Sequence, residues 1–124
     1  MLEKERRLSK ERLKDISNYS NKPYSEAYFR VNKGLFNAKI LVLDKPEKSK
    51  FSFSISKKID KRAIFRNKMR RIGYSLIKEA LPNIKDGFLV QFIFNKKPAN
   101  PKNIKEDVQK DIFDILKSKG LLLS

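Results

Sequence analysis

Nine basic side chains and one acid lie between Lys57 and Lys78, and together they carry half of the chain's formal net charge of +16. Four of the nine are arginines: Arg62, Arg66, Arg70 and Arg71. A guanidinium is planar, stays charged, and offers a fork of N–H donors that matches two phosphate oxygens at once. Lys57, Lys58 and Lys68 add compact point charges. Asn67 both donates and accepts, which suits a ribose hydroxyl or a metal-bound water, and Tyr74 can stack or hydrogen-bond. This set can hold phosphate but is poorly equipped to cleave it. The chain has no histidine and no cysteine, so the commonest general base and thiol chemistry are absent. The acids Asp44, Glu47, Asp60, Glu79 and Asp86 are scattered, without the paired spacing of a two-metal cage. A nuclease acting through its own side chains is disfavoured, and a polyanion is the expected partner.

The same stretch has helical periodicity. On a wheel over residues 61–81, Phe65, Met69, Ile72 and Leu76 form one narrow apolar stripe. Arg66, Asn67, Arg70, Arg71, Tyr74 and Lys78 fall on another face. An ordinary solvated face mixes signs, because Glu–Lys pairs at i,i+4 stabilise it. Here no acid occurs between Asp60, the expected N-cap, and Glu79. Lys57 and Lys58 then sit beside the helix N-terminus, where backbone N–H groups favour anions.

Other elements must position that helix. Residues 51–56 alternate strictly, with Phe51, Phe53 and Ile55 on one face, and read as a strand. Residues 35–43 read as a strand rich in Leu, Ile and Val, followed by a loop over 44–50. Residues 87–94 are almost continuously apolar, as in a strand buried on both faces. Asn100-Pro101 resembles a cap followed by a first-turn proline. It opens a last helix over 102–119 that turns Ile104, Val108, Ile112, Ile115 and Leu116 inward before Gly120. The N-terminal third is polar: a helix over 2–16, a break over 17–23, then a short helix over 24–32 stopped by Gly34. The sum is a single α+β domain of 124 residues with helices packed on one sheet. No apolar run reaches the roughly 18 residues of a membrane span, and the charged start lacks a secretory signal's apolar stretch. A cytoplasmic protein is the default.

Ile55-Ser56-Lys57-Lys58-Ile59, followed by Ala63-Ile64-Phe65-Arg66-Asn67-Lys68-Met69-Arg70-Arg71-Ile72, resembles the signature of bacterial ribonuclease P proteins. In that family a strand ends in Val/Ile-Ser-Lys-Lys and an Arg-Asn-x-x-Lys/Arg-Arg helix follows. Leu81-Pro82-Asn83-Ile84, Gly87 with its apolar strand, and the C-terminal helix are also similar, so the resemblance runs from about Gly34 to Leu122. It implies an α-β-β-β-α-β-α sandwich with a left-handed β-α-β crossover, like domain 2 of ribosomal protein S5. It also implies one partner RNA per protein, a magnesium-dependent ribozyme that trims the 5′ leader from precursor tRNA. Lys57, Lys58, Arg66, Asn67, Lys68, Arg70 and Arg71 match the family's RNA-contacting motif, and Arg62 and Tyr74 extend it. A cleft between sheet and helix would take the single-stranded leader, with Phe36 and Tyr28 as candidate stacking rings. Tyr74 stands where another basic residue is usual, Gly73 lies inside the helix, and residues 1–33 diverge from the family pattern. A generic RNA-binding or ribosomal protein of similar β-α-β layout would share the charge but not the combined Ser-Lys-Lys and Arg-Asn motif.

Overall fold

Phe36, Ala38 and Ile40 alternate with Asn37 and Lys39, and this period of two places three buried side chains on one side of a strand. The computed structural model describes residues 2–20, 28–44, 47–99 and 102–123. Its elements in chain order are α1 (Lys10–Ser20), β1 (Tyr28–Lys33), β2 (Phe36–Val42), β3 (Lys50–Ile55), α2 (Ala63–Ala80), β4 (Phe88–Phe94) and α3 (Ile104–Ser118). The strands form one sheet in the order β1-β2-β4-β3. β1 pairs with β2 and β2 with β4 antiparallel, whereas β3 and β4 run parallel and are joined through α2. The order of elements is the expected α-β-β-β-α-β-α.

One face of the sheet carries the main core. Phe36, Ala38 and Ile40 of β2, Phe51, Phe53 and Ile55 of β3, and Val90, Phe92 and Phe94 of β4 meet Met69, Leu76 and Ile77 of α2. α3 adds Ile104, Val108, Ile112, Ile115 and Leu116, all five of the residues its periodicity turned inward. On the other face Ile16 of α1 covers Leu41 and Leu89, with Leu8, Tyr28 and Leu43 around them.

The N-terminal third differs from expectation. Residues 28–32, read as helix, belong to β1: Phe29 and Val31 pack against the main core, while Tyr28 joins the cluster on the opposite face. Alternating aromatic and β-branched residues favour this strand, and the β1–β2 turn at Gly34 pairs it with β2. Gly34 has φ +54° and sits against Asp111, whose Oδ2 accepts the Leu35 N–H at 2.8 Å; a Cβ there would meet that carboxylate. Residues 24–27 lie outside the described set, as do the expected turn residues 45–46 and the Asn100-Pro101 cap. The helix expected over 2–16 instead starts at Lys10, with Ser9 Oγ accepting the Arg12 N–H at 3.3 Å. Before it, Leu2 is buried in the core and Arg7 bridges to Phe51 along the outer edge of β3. β4 also departs from the reading of burial on both faces, because Gln91 and Ile93 are only half-buried.

Candidate nucleic-acid interface

The crossover from β3 to α2 is built around one buried acid. After β3, Ile59 N–H donates to the Ser56 carbonyl at 3.1 Å, turning the chain so that Lys57 and Lys58 stand exposed. Asp60 follows, with its side chain only 3% exposed. Its Oδ1 accepts the Arg62 N–H at 2.8 Å, an Asx turn, so the acid caps the loop before the helix. α2 starts at Ala63, and the expected N-cap role of Asp60 is corrected: Arg62 holds that position without a side-chain cap. Arg62 Nε and Nη2 reach Oδ1 and Oδ2 at 3.1 and 2.8 Å, and Lys97 Nζ reaches Oδ2 at 3.2 Å. The hydrogen bonds from Arg62, first among these causes, hold the Asp60 carboxyl well below the usual carboxylate range. The same pair raises the Arg62 pKa. The Arg62 guanidinium also lies 5.2 Å from the Phe65 ring centroid.

Along α2, Arg66 Nη1 donates to the Asp60 and Lys61 carbonyls at 2.9 and 2.8 Å. Arg70 Nη2 donates to Asn67 Oδ1, and Asn67, Lys68 and Arg71 are exposed. Of the basic residues of the motif, Lys57, Lys58, Arg62, Lys68 and Arg71 are exposed, and Arg66 and Arg70 are half-buried. The Tyr74 hydroxyl accepts the Phe53 N–H at 3.3 Å, and its ring sits edge-on to Phe53 at 5.1 Å. The apolar face is rotated from the expected stripe: Met69, Gly73, Leu76, Ile77 and Ala80 are buried, whereas Phe65 and Ile72 are only partly buried. Gly73 causes the rotation, since the Phe53 ring occupies the space of its missing Cβ.

A second polar surface lies on the sheet face that α1 only partly covers. The register aligns Arg30, Lys39, Gln91 and Ser52 in one row across the four strands, and Asn32, Asn37, Ile93 and Ser54 in the next. Lys39 and Asn37 share this face with Leu41, opposite the buried Phe36, Ala38 and Ile40. Ser52 Oγ is buried and has no hydrogen-bond partner among the described residues. Of the two expected stacking rings, Tyr28 is half-buried beside Ile16, Leu41 and Leu89, at the end of this face. Phe36 is a correction. It is fully buried on the opposite face, 5.4 Å from Phe92 and 4.5 Å from Phe94, and has no free face for a base. Among the described residues, no group of three or more His, Cys, Asp or Glu could hold a metal ion. No described helix is long and apolar enough to cross a membrane.

Against known proteins, the family model described as Ribonuclease P matches residues 8–119. The chain belongs to the ribonuclease P protein family. Over 45 residues it is 44% identical to the ribonuclease P protein component of Microcystis aeruginosa, an aligned stretch covering 36% of this chain and 38% of that relative. The ribonuclease P protein of Staphylococcus aureus superposes with a TM-score of 0.69 at 16% identity, covering 96% of this chain and 98% of that one. That of Thermotoga maritima gives 0.66 at 16% identity, covering 90% and 96%. The family match includes residues 8–33, most of the segment expected to diverge from the family pattern. Gly34, expected to stop a helix over 24–32, is the β1–β2 turn, and α1 and β1 form the described part of this segment. Sequence reasoning missed Arg30, Lys39, Asn37 and Gln91. The signal was present: polar positions alternate through β2, and Gln91 interrupts the apolar run of β4.

Proposed function

We propose that this protein is the protein subunit of ribonuclease P, binding the catalytic RNA and the 5′ leader of precursor tRNA and assisting leader removal in the cytoplasm. The observation that carries the reading is the cationic surface of Lys57, Lys58, Arg62, Arg66, Lys68, Arg70 and Arg71, whose one acid, Asp60, is turned inward. Arginine forks on a rigid helix suit the phosphates of a folded RNA, and Asn67 beside Arg70 suits a ribose hydroxyl. The open sheet face, with Arg30, Lys39, Asn37 and Gln91, suits an extended single strand: cations track its backbone and amides meet its base edges. Tyr28 supplies a ring at the end of that path.

In this reading the phosphodiester chemistry and its magnesium ions belong to the RNA. The protein brings two polyanions together, one protein per RNA, and lowers the magnesium needed to screen them. The test incubates the protein with precursor tRNA, with and without an in-vitro-transcribed bacterial ribonuclease P RNA, across a magnesium series. The expected result is no cleavage by protein alone, and tighter substrate binding with a lower magnesium requirement when both are present. Cleavage without the RNA would assign the chemistry to the protein. No effect on the RNA's reaction would leave a generic RNA-binding protein.

A further inference from the structure

We propose that Asp60 is a positioning residue for RNA recognition, a buried acid that sets Arg62, Arg66 and Lys97 as one fixed cluster on the RNA-facing side. The inference rests on the reading of α2 and its preceding loop as the RNA surface. A lone acid inside a surface built for a polyanion ought to be a liability, because it cancels charge and repels phosphate. Here the carboxylate is turned inward at 3% exposure, and the cations it holds face outward, Arg62 at 71% and Lys97 at 53%.

Each contact removes a freedom. Oδ1 accepts both the Arg62 N–H and Nε, and Oδ2 accepts Nη2, so the backbone turn and the guanidinium plane of Arg62 are set together. The Phe65 ring beneath that plane restrains it further. The Asp60 carbonyl takes Arg66 Nη1, tying the motif arginine back to the loop that precedes its own helix. Lys97 comes from the segment after β4, so the acid also joins the crossover loop to the β4–α3 connection. Long cationic side chains lose rotamer entropy when ordered. Asp60 orders Arg62 before RNA arrives, which lowers the cost of binding. The remaining Nη1 of Arg62 and two of the three Nζ donors of Lys97 stay available to phosphate.

The sign of one substitution tests this. Asp60→Asn keeps an oxygen for the Arg62 N–H and raises the net charge by one. A surface acting by charge alone would bind RNA more tightly and with a steeper salt dependence. Positioning requires the opposite: binding of in-vitro-transcribed ribonuclease P RNA weakened about fivefold to tenfold, with no steeper salt slope, in a protein whose circular dichroism and melting place it folded at the assay temperature. In an Arg62→Ala background the same substitution should have little further effect. Unchanged or tighter binding by Asp60→Asn, while Arg66→Ala and Arg71→Ala weaken binding, overturns the Asp60 inference alone. If Arg66→Ala and Arg71→Ala are also silent, the RNA-surface reading itself fails. Should Asp60→Asn not fold, Asp60→Ser replaces it, retaining a side-chain acceptor without the charge. In the free wild-type protein the Arg62 Nε–H must exchange more slowly than that of exposed Arg71; equal rates overturn the proposal without any variant.

Discussion

Arg71 and Met69 lie two residues apart on α2 and separate the tasks of that helix. Arg71 is exposed, whereas Met69 is fully buried between sheet and helix. Arg71→Ala is expected to leave stability within about 0.5 kcal/mol and to weaken RNA binding. Met69→Ala is expected to cost about 2–5 kcal/mol by leaving a cavity. Denaturant titration beside an RNA-binding isotherm checks both; equal stability losses would mean the helix faces are misassigned. Asp60 gives a pH dependence of definite sign. Its folded pKa lies well below that of an ordinary aspartate, held there by the Arg62 hydrogen bonds, so its contribution is present above the ordinary value and lost as pH falls toward the folded one. The melting-temperature advantage of wild type over Asp60→Asn should therefore be full at pH 6 and shrink steadily below about pH 4. The groups facing this carboxylate are Arg62 and Lys97.

At the scale of elements, α2 is seated by a glycine. Replacing an exposed helical glycine with alanine stabilises by up to about 1 kcal/mol. Gly73 should do the reverse, because its Cβ would lie 2.5 Å from the Phe53 ring. Gly73→Ala is expected to destabilise by about 1–3 kcal/mol through overpacking, read as a lower denaturant midpoint with an unchanged slope. The displaced ring would also disturb Tyr74, which packs edge-on to Phe53 and accepts its N–H at the sheet edge. The N-terminal segment is similarly engaged. Arg6 pairs with Asp86, Arg12 with Glu47, and Glu5 with Lys48, so part of the chain's positive charge is used to hold this strap against neighbouring loops. The Lys48 partner in turn lowers the Glu5 pKa.

For the molecule as a whole, the charge of +16 is a statement about salt. If about six phosphates are neutralised, the log–log slope of affinity against salt should be on the order of −4 to −5. A titration with a slope near zero would show that the cationic surface is not used for RNA. The acids carry a separate expectation. Asp44→Asn, Glu47→Gln and Asp86→Asn should leave single-turnover cleavage of bound precursor tRNA within about threefold, far from the hundredfold loss that corresponds to roughly 2.7 kcal/mol of barrier. Glu47 and Asp86 already serve as partners of Arg12 and Arg6.

The local patterns that were legible share one property: each is decided by neighbours along the chain. The alternation of β3, the five inward residues of α3 and the acid-poor cationic stretch of α2 depend on periods of two or 3.6 residues. What only the tertiary structure decided depends on residues distant in sequence. Tyr28–Lys33 is a strand because β2 pairs with it, not because its own composition excludes a helix. Phe36 is core because Phe92 and Phe94 close over it from β4. The seat of α2 is turned because Phe53 fills the space at Gly73, and a wheel drawn from one helix cannot know which ring comes from the sheet. The row of Arg30, Lys39, Gln91 and Ser52 unites residues from four strands, and Asp60 gains Lys97 from 37 positions away. Side-chain type and local period set the chemistry this protein can offer; register and packing set where it is offered.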